Sequence, residues 1–368
     1  MYFFIGFNFF DDYTVREKKI NMVGLGLLNR SLIVLCVLIL TGCSTSDQQK
    51  KSSKNQEIFY VIKGDNNQAI SDYSKIIDKK PKDADAFIYR GTAYENLGQY
   101  EKALSDYTRA IEINPADVNS YNFRGNTYIK LKQYDQAISD FNKALEIYPE
   151  SVSAYIGRGE SNYAREDFDR AITDFDRAIG IEPQSVISYI GRGNAYASTE
   201  KYTESVSDFD KAIELAPDSV FAYFGRGTVL SSSNQLDKAI SDFDKAIELN
   251  PAFVPAYTGR GECYSKKHQL DQAIADFNKA IEIDPSSFAA YNSRGVIYAM
   301  KGQYKQAISD FNKALEINPE FAGAYNNRSV TYYSHEEYDK ASEDMNKSES
   351  LKKFNPLFIM DIRKPRGN

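Results

Sequence analysis

Prolines stand at 81, 115, 149, 183, 217, 251, 285 and 319, each 34 residues beyond the last. Arginines keep the same step at 90, 124, 158, 192, 226, 260, 294 and 328, and aspartates keep it from 72 to 344. Three phased series do not arise by chance, and self-similarity at such a period means a stack of like units. Length alone would suggest two or three domains for 368 residues. A unit of this size, however, cannot bury enough apolar surface to offset the entropy of ordering its backbone, so each must lean on the next. One continuous solenoid is expected.

One unit, "SVISYIGRGNAYASTEKYTESVSDFDKAIELAP" (185–217), holds two helical patterns. Tyr189, Arg192, Gly193 and Tyr196 share three- and four-residue spacings from about Val186 to Ser198; Val206, Phe209, Ala212 and Ile213 share a second face. "TEKY" separates them, and Pro217 ends the second because its ring cannot continue a helix. The unit therefore predicts an antiparallel helical hairpin.

Tyr189, Gly193, Tyr196, Tyr202, Ser205, Phe209, Ala212 and Pro217, with equivalents in the other units, make the chain resemble the tetratricopeptide repeat family. The resemblance implies an all-α fold, a right-handed αα superhelix. Eight units are expected at 82–115, 116–149, 150–183, 184–217, 218–251, 252–285, 286–319 and 320–353. A degenerate repeat precedes them at 57–81, with Tyr60, Gly64, Ala69 and Tyr73 in phase, and a tail follows at 354–368. The polar helix from Tyr338 to Ser350 reads as the C-terminal cap that a solenoid needs. Arginine replaces the family's commonest leucine, tryptophan is absent, and Tyr163 is displaced by one from a position held by Asn162.

Gly191-Arg192-Gly193 invites comparison with a phosphate-binding loop, but such loops lie between a strand and a helix N-terminus. Here the motif is mid-helix, so a packing role is expected: Gly193 lets the hairpin's second helix approach, at about 1 kcal/mol of helix propensity. Arg192 has two candidate partners, Asp208 sixteen residues on and Asp174 in the preceding unit. A guanidinium with buried methylenes can serve two carboxylates, giving a ladder of semi-buried ion pairs that fixes register more than it adds stability.

The resemblance also implies that first helices line a concave groove. Positions two before and one, five and eight after each periodic Tyr then present Asn122, Asn126, Ile156, Tyr163, Ile187, Ile190, Asn194, Phe221, Phe224, Asn292 and Asn326. Ile187 with Ile190, and Phe221 with Phe224, form apolar patches, and the asparagines offer donors and acceptors to a peptide backbone. The competing reading is that these apolar residues only seal adjacent helices. The lysines that chaperone-tail-binding members carry are replaced by Ile88, Asn122, Ile156 and Ile190, so an EEVD-like tail is not expected.

Ahead of the repeats, "SLIVLCVLIL" (31–40) has the length of a signal-peptide core and is too short to span a bilayer. "LTGC" (40–43) follows it and resembles the bacterial lipobox, which implies lipidation of Cys43 and, with Ser44 next, the outer membrane where the cell has one. The signal peptide is expected at 22–42, since Met22 opens a conventional n-region, and 1–21 is expected to be an upstream extension. Residues 43–56 read as the lipidated cysteine and a polar tether.

A net charge of −6 with interspersed signs provides no basic field for nucleic acid. Three scattered cysteines and two histidines, His268 and His335, suggest neither metal nor disulfide framework. No nucleophile, base and acid recur together, so neither an enzyme, a cofactor nor a small-molecule substrate is expected. The reading is a lipid-anchored adaptor that binds a peptide or protein in its groove, with an assembly or pilot factor for an envelope complex as the alternative.

Overall fold

The computed structural model describes residues 65–352, which contain seventeen helices and no strand. The expected signal segment, Cys43 and the tether, together with Tyr60, Gly64 and the tail, lie outside the described residues. The chain divides into two compact units, with the boundary in the sequence between Thr199 and Glu200.

The first unit holds α1 (Asn66–Lys79), α2 (Ala84–Asn96), α3 (Tyr100–Ile113), α4 (Val118–Lys130), α5 (Tyr134–Ile147), α6 (Val152–Ala164), α7 (Phe168–Ile181) and α8 (Val186–Ser198). Local chemistry sets the ends. Asp83, Asp117 and Ser151 cap α2, α4 and α6 by accepting from the backbone N–H three residues on. The second helix of each hairpin stops two residues before a periodic proline, as α3 does at Ile113 before Pro115.

Inside this unit each second helix drives one aromatic ring into the stack. Phe141 of α5 is fully buried between two glycines: a Cβ on Gly125 of its own hairpin would come within 2.8 Å of the ring, and one on Gly157 of the next within 2.3 Å. Phe175 is bracketed in the same way by Gly159 and Gly191. Both glycines of the Gly-Arg-Gly motif are thus contact points for an aromatic, one inside the hairpin and one between hairpins. Nearer the chain start the device changes. Tyr107 meets Gly91 on one side, but Phe123 stacks on it at 5.7 Å where later repeats have glycine. Its phenol, pushed well above its usual pKa by burial and by Glu95, donates to Glu95 Oε2 at 2.9 Å.

The second unit holds α9 (Tyr202–Leu215), α10 (Val220–Ser232), α11 (Leu236–Leu249), α12 (Val254–Lys266), α13 (Leu270–Ile283), α14 (Phe288–Met300), α15 (Tyr304–Ile317), α16 (Ala322–Ser334) and α17 (Tyr338–Lys352). Phe243 sits between Gly227 and Gly259, and Phe277 and Phe311 are buried at the same position in the next two hairpins. Cys263 is buried in the cluster around Phe243 and Phe253. In α17 the position corresponding to Phe311 is Met345, half-buried, and Ser348, where the second helices from α3 to α15 carry alanine, donates to the carbonyl of Ala322 at 3.0 Å.

Candidate functional site

The periodic arginines join hairpins. Arg90 donates from Nε and Nη2 to both oxygens of Asp106, at 2.8 and 2.7 Å, and from Nη1 to Ser74 Oγ at 3.1 Å. Arg124 repeats this with Asp140 and Thr108, and Arg226 does so with Asp242 and Asp210. Each guanidinium thus binds the second helix of its own hairpin bidentately and reaches back to the second helix before it. Its flat face lies over a first-helix aromatic one turn earlier, as Arg158 does over Tyr155 at 5.5 Å. Hydrogen bonds donated to Asp242, and secondarily to Asp210, raise the Arg226 guanidinium above its already high pKa.

This corrects the expected competition for Arg192. Asp174 is taken by Arg158 and by Asn162, which donates to it at 3.0 Å. The residue of the preceding hairpin that reaches Arg192 is Asp176, at 2.6 Å from Nη1. The reason is helical phase: residues 174 and 176 lie about 200° apart around α7, so one faces its own hairpin and the other the next. Asp208 belongs to the second unit. Asn162 also explains the displaced tyrosine. The amide occupies the buried position and braces Asp174, while Tyr163 lies against Phe168 and bonds Ser198 Oγ at 3.1 Å.

One turn away on the same first helices lie the predicted groove residues. In the first unit Ile156 and Tyr163 pack on the cluster of Ala171, Phe175 and Ala195. Ile190 is half-buried, whereas Ile187 stays 49% exposed. The side chains of Asn126 and Asn194 are half-buried and make no hydrogen bond among the described residues. Asn122 is buried, donates to Ser151 Oγ at 3.4 Å, and leaves its carbonyl oxygen without a donor.

In the second unit the two phenylalanines part company. Phe224 packs against Phe243 and Phe253, with ring centroids 5.8 and 5.3 Å apart, and so seals hairpins together. Phe221 touches Phe253 edge-on at 5.7 Å yet remains 42% exposed. Asn292 accepts from Asn327 across neighbouring first helices at 3.0 Å, and Asn326 is buried. The Asn292 to Asn327 bond braces the stack.

Two carboxylates escaped the sequence reading. Glu160 of α6 and Glu262 of α12 occupy the position that is Asn126 in α4 and Asn194 in α8. Burial pushes the Glu160 carboxyl up to about 7, and raises that of Glu262 against the opposing pull of Lys266. Their signal in the sequence was charge at a repeat position otherwise held by neutral residues. No group of three or more metal-ligating side chains converges among the described residues, and His268 and His335 lie at hairpin turns.

Comparison with known proteins agrees with this geometry. Two tetratricopeptide repeat models match, one at 84–117, 118–151, 220–253, 254–287 and 288–321, the other at 186–219. They set the repeat frame two residues later than the proline spacing suggested, at the starts of α2 and its counterparts. A tetratricopeptide repeat protein from Parabacteroides merdae superposes with a TM-score of 0.56 at 22% identity, over 66% of this chain and 96% of that one. Yeast Tom70 superposes with a TM-score of 0.56 at 18% identity, over 85% of this chain and 67% of its own. Curated protein sequences give no match. With repeat models covering more than half its residues and hairpins of the corresponding geometry, the chain belongs to the tetratricopeptide repeat family.

Proposed function

We propose that the protein is a lipid-anchored adaptor of the bacterial envelope that binds a peptide or protein segment on its first helices. Tetratricopeptide repeat proteins are protein-interaction scaffolds, and their repeat fold is generally non-catalytic. The observation that carries the reading is the contrast on those helices: Ile187 and Phe221 stay 49% and 42% exposed while the aromatic hubs behind them are buried. Exposed apolar anchors beside amides suit an extended chain, the anchors contributing affinity and the amides fixing the backbone.

Anchoring rests on the lipobox at Leu40 to Cys43, followed by Ser44, which directs the chain to the periplasmic face of an outer membrane where one exists. No described helix is long and apolar enough to cross a membrane. Cys43→Ser is expected to move the protein from the membrane to the soluble fraction, as immunoblotting of fractions would read.

For the binding face, Ile187→Asp and Phe221→Asp are the informative changes, because Phe224 is committed to packing. Both variants should keep the helical circular-dichroism signal and lose partner capture from native membranes. Undiminished capture removes this face from consideration, and a pore or pilus component as the captured partner would make the protein an assembly factor.

A further inference from the structure

Four carboxylates lie on the first helices α2 to α16: Asp85, Glu95, Glu160 and Glu262. Glu95 shows what such a group does when donors are in reach. It accepts from Lys130 Nζ at 2.9 Å, from the Tyr107 hydroxyl at 2.9 Å and from Thr127 Oγ1 at 3.3 Å. Glu160, on the next first helix but one, is half-buried and has no hydrogen bond or ion pair among the described residues. It projects between Ile156 one turn before and Tyr163 one turn after, both packed on apolar core.

The neighbouring cations are taken. α6 packs against α4, α5, α7 and α8. On these five helices Arg158 is held by Asp174, Arg124 by Asp140, Lys130 by Glu95, Lys143 by Glu146, Arg170 by Asp167 and Arg192 by Asp176. Arg177 is exposed on α7, and no neighbouring charge contributes to the raised pKa of Glu160. A desolvated carboxylate without a counter-charge is costly, and an incoming cation would relieve it.

The neighbouring first helix α8, which packs against α6, carries Ile187, 49% exposed.

We infer that the first unit binds an extended protein segment bearing a lysine or arginine, whose cation meets Glu160 while an apolar side chain of the same segment covers Ile187. The inference rests on the binding face proposed above. A free amine would satisfy Glu160 alone, whereas the exposed Ile187 calls for an apolar side chain as well.

The test is to select a random library of twelve-residue peptides on the full chain. The best sequence is then remade with lysine, norleucine or glutamate at its most selective position, and binding is measured by calorimetry. Lysine or arginine should be enriched there, and Glu160→Gln should weaken the lysine peptide about tenfold while leaving the norleucine peptide within about twofold. If Ile187→Asp abolishes capture but Glu160→Gln keeps the full lysine preference, the binding face stands and the role of Glu160 is overturned. Selected peptides indifferent to Ile187→Asp, or no enrichment at all, overturn both.

Discussion

At seven places from Arg90 to Arg328 a guanidinium grips the aspartate sixteen residues on, with donor to acceptor distances of 2.6 to 3.1 Å. One helical turn away, on the same first helices, the equivalent positions carry Asn122, Ile156, Ile190 and Phe224, each with contacts of its own, and Ile187 and Phe221 nearby stay partly exposed. The contrast separates what repeats identically at each junction from what varies. Positions locked to the period must satisfy identical neighbours in each hairpin, so a change at one is paid for by its whole junction. Positions on the open face have no such constraint and can suit a partner.

Breaking the locked side should have the largest effect. Phe141→Ala removes a fully buried ring clamped between two hairpins and should cost about 3–5 kcal/mol, read as a lower denaturant midpoint. Arg226→Leu leaves Asp242 and Asp210 without their cation; because the arginine is about a quarter exposed, a loss of about 2–3 kcal/mol is expected. In a double-mutant cycle with Asp242→Ala, a coupling of at least about 1 kcal/mol is expected, and additivity would disprove the ladder.

On the open side the sign reverses. Glu160 takes up a proton in the folded state at about pH 7 but near its ordinary value when unfolded, so the folded state binds more protons between those limits. Stability should therefore fall as pH rises through that window. Glu160→Gln should remove the fall and raise stability at pH 8 on the order of 1 kcal/mol, discounted for its partial exposure. Thermal melts at pH 5 and pH 8 decide it: equal shifts at both would show that charge is not the cause. Smallest of all is Asp244→Asn. This half-exposed second partner of Arg260 is already asparagine at the equivalent positions 278 and 312, so the change should stay under about 0.5 kcal/mol.

How much was legible follows the same division. The helix expected from about Val186 to Ser198 is α8, since apolar spacing and proline act locally. Arg192 could be read as an ion-pair residue, but not that Asp176 rather than Asp174 would reach it, because helical phase between hairpins is absent from the spacing. The leading glycines Gly157, Gly191, Gly225 and Gly259 are plainly periodic, yet that they admit the ring of the preceding hairpin emerges only from the stack. Periodicity likewise could not tell Phe224, which seals, from Phe221, which remains partly open. Glu160 was a visible oddity without meaning until its surroundings showed that no cation among the described residues pairs with it.

What the sequence determined by itself is the hairpin, its length, its repetition and the need to stack, since these follow from helix periodicity, proline and the entropy of a short unit. What only tertiary structure decided is which side of each helix meets which neighbour. Desolvation, shared carboxylates and ring-to-glycine contacts depend on side chains brought together across hairpins, and a linear spacing does not contain those distances.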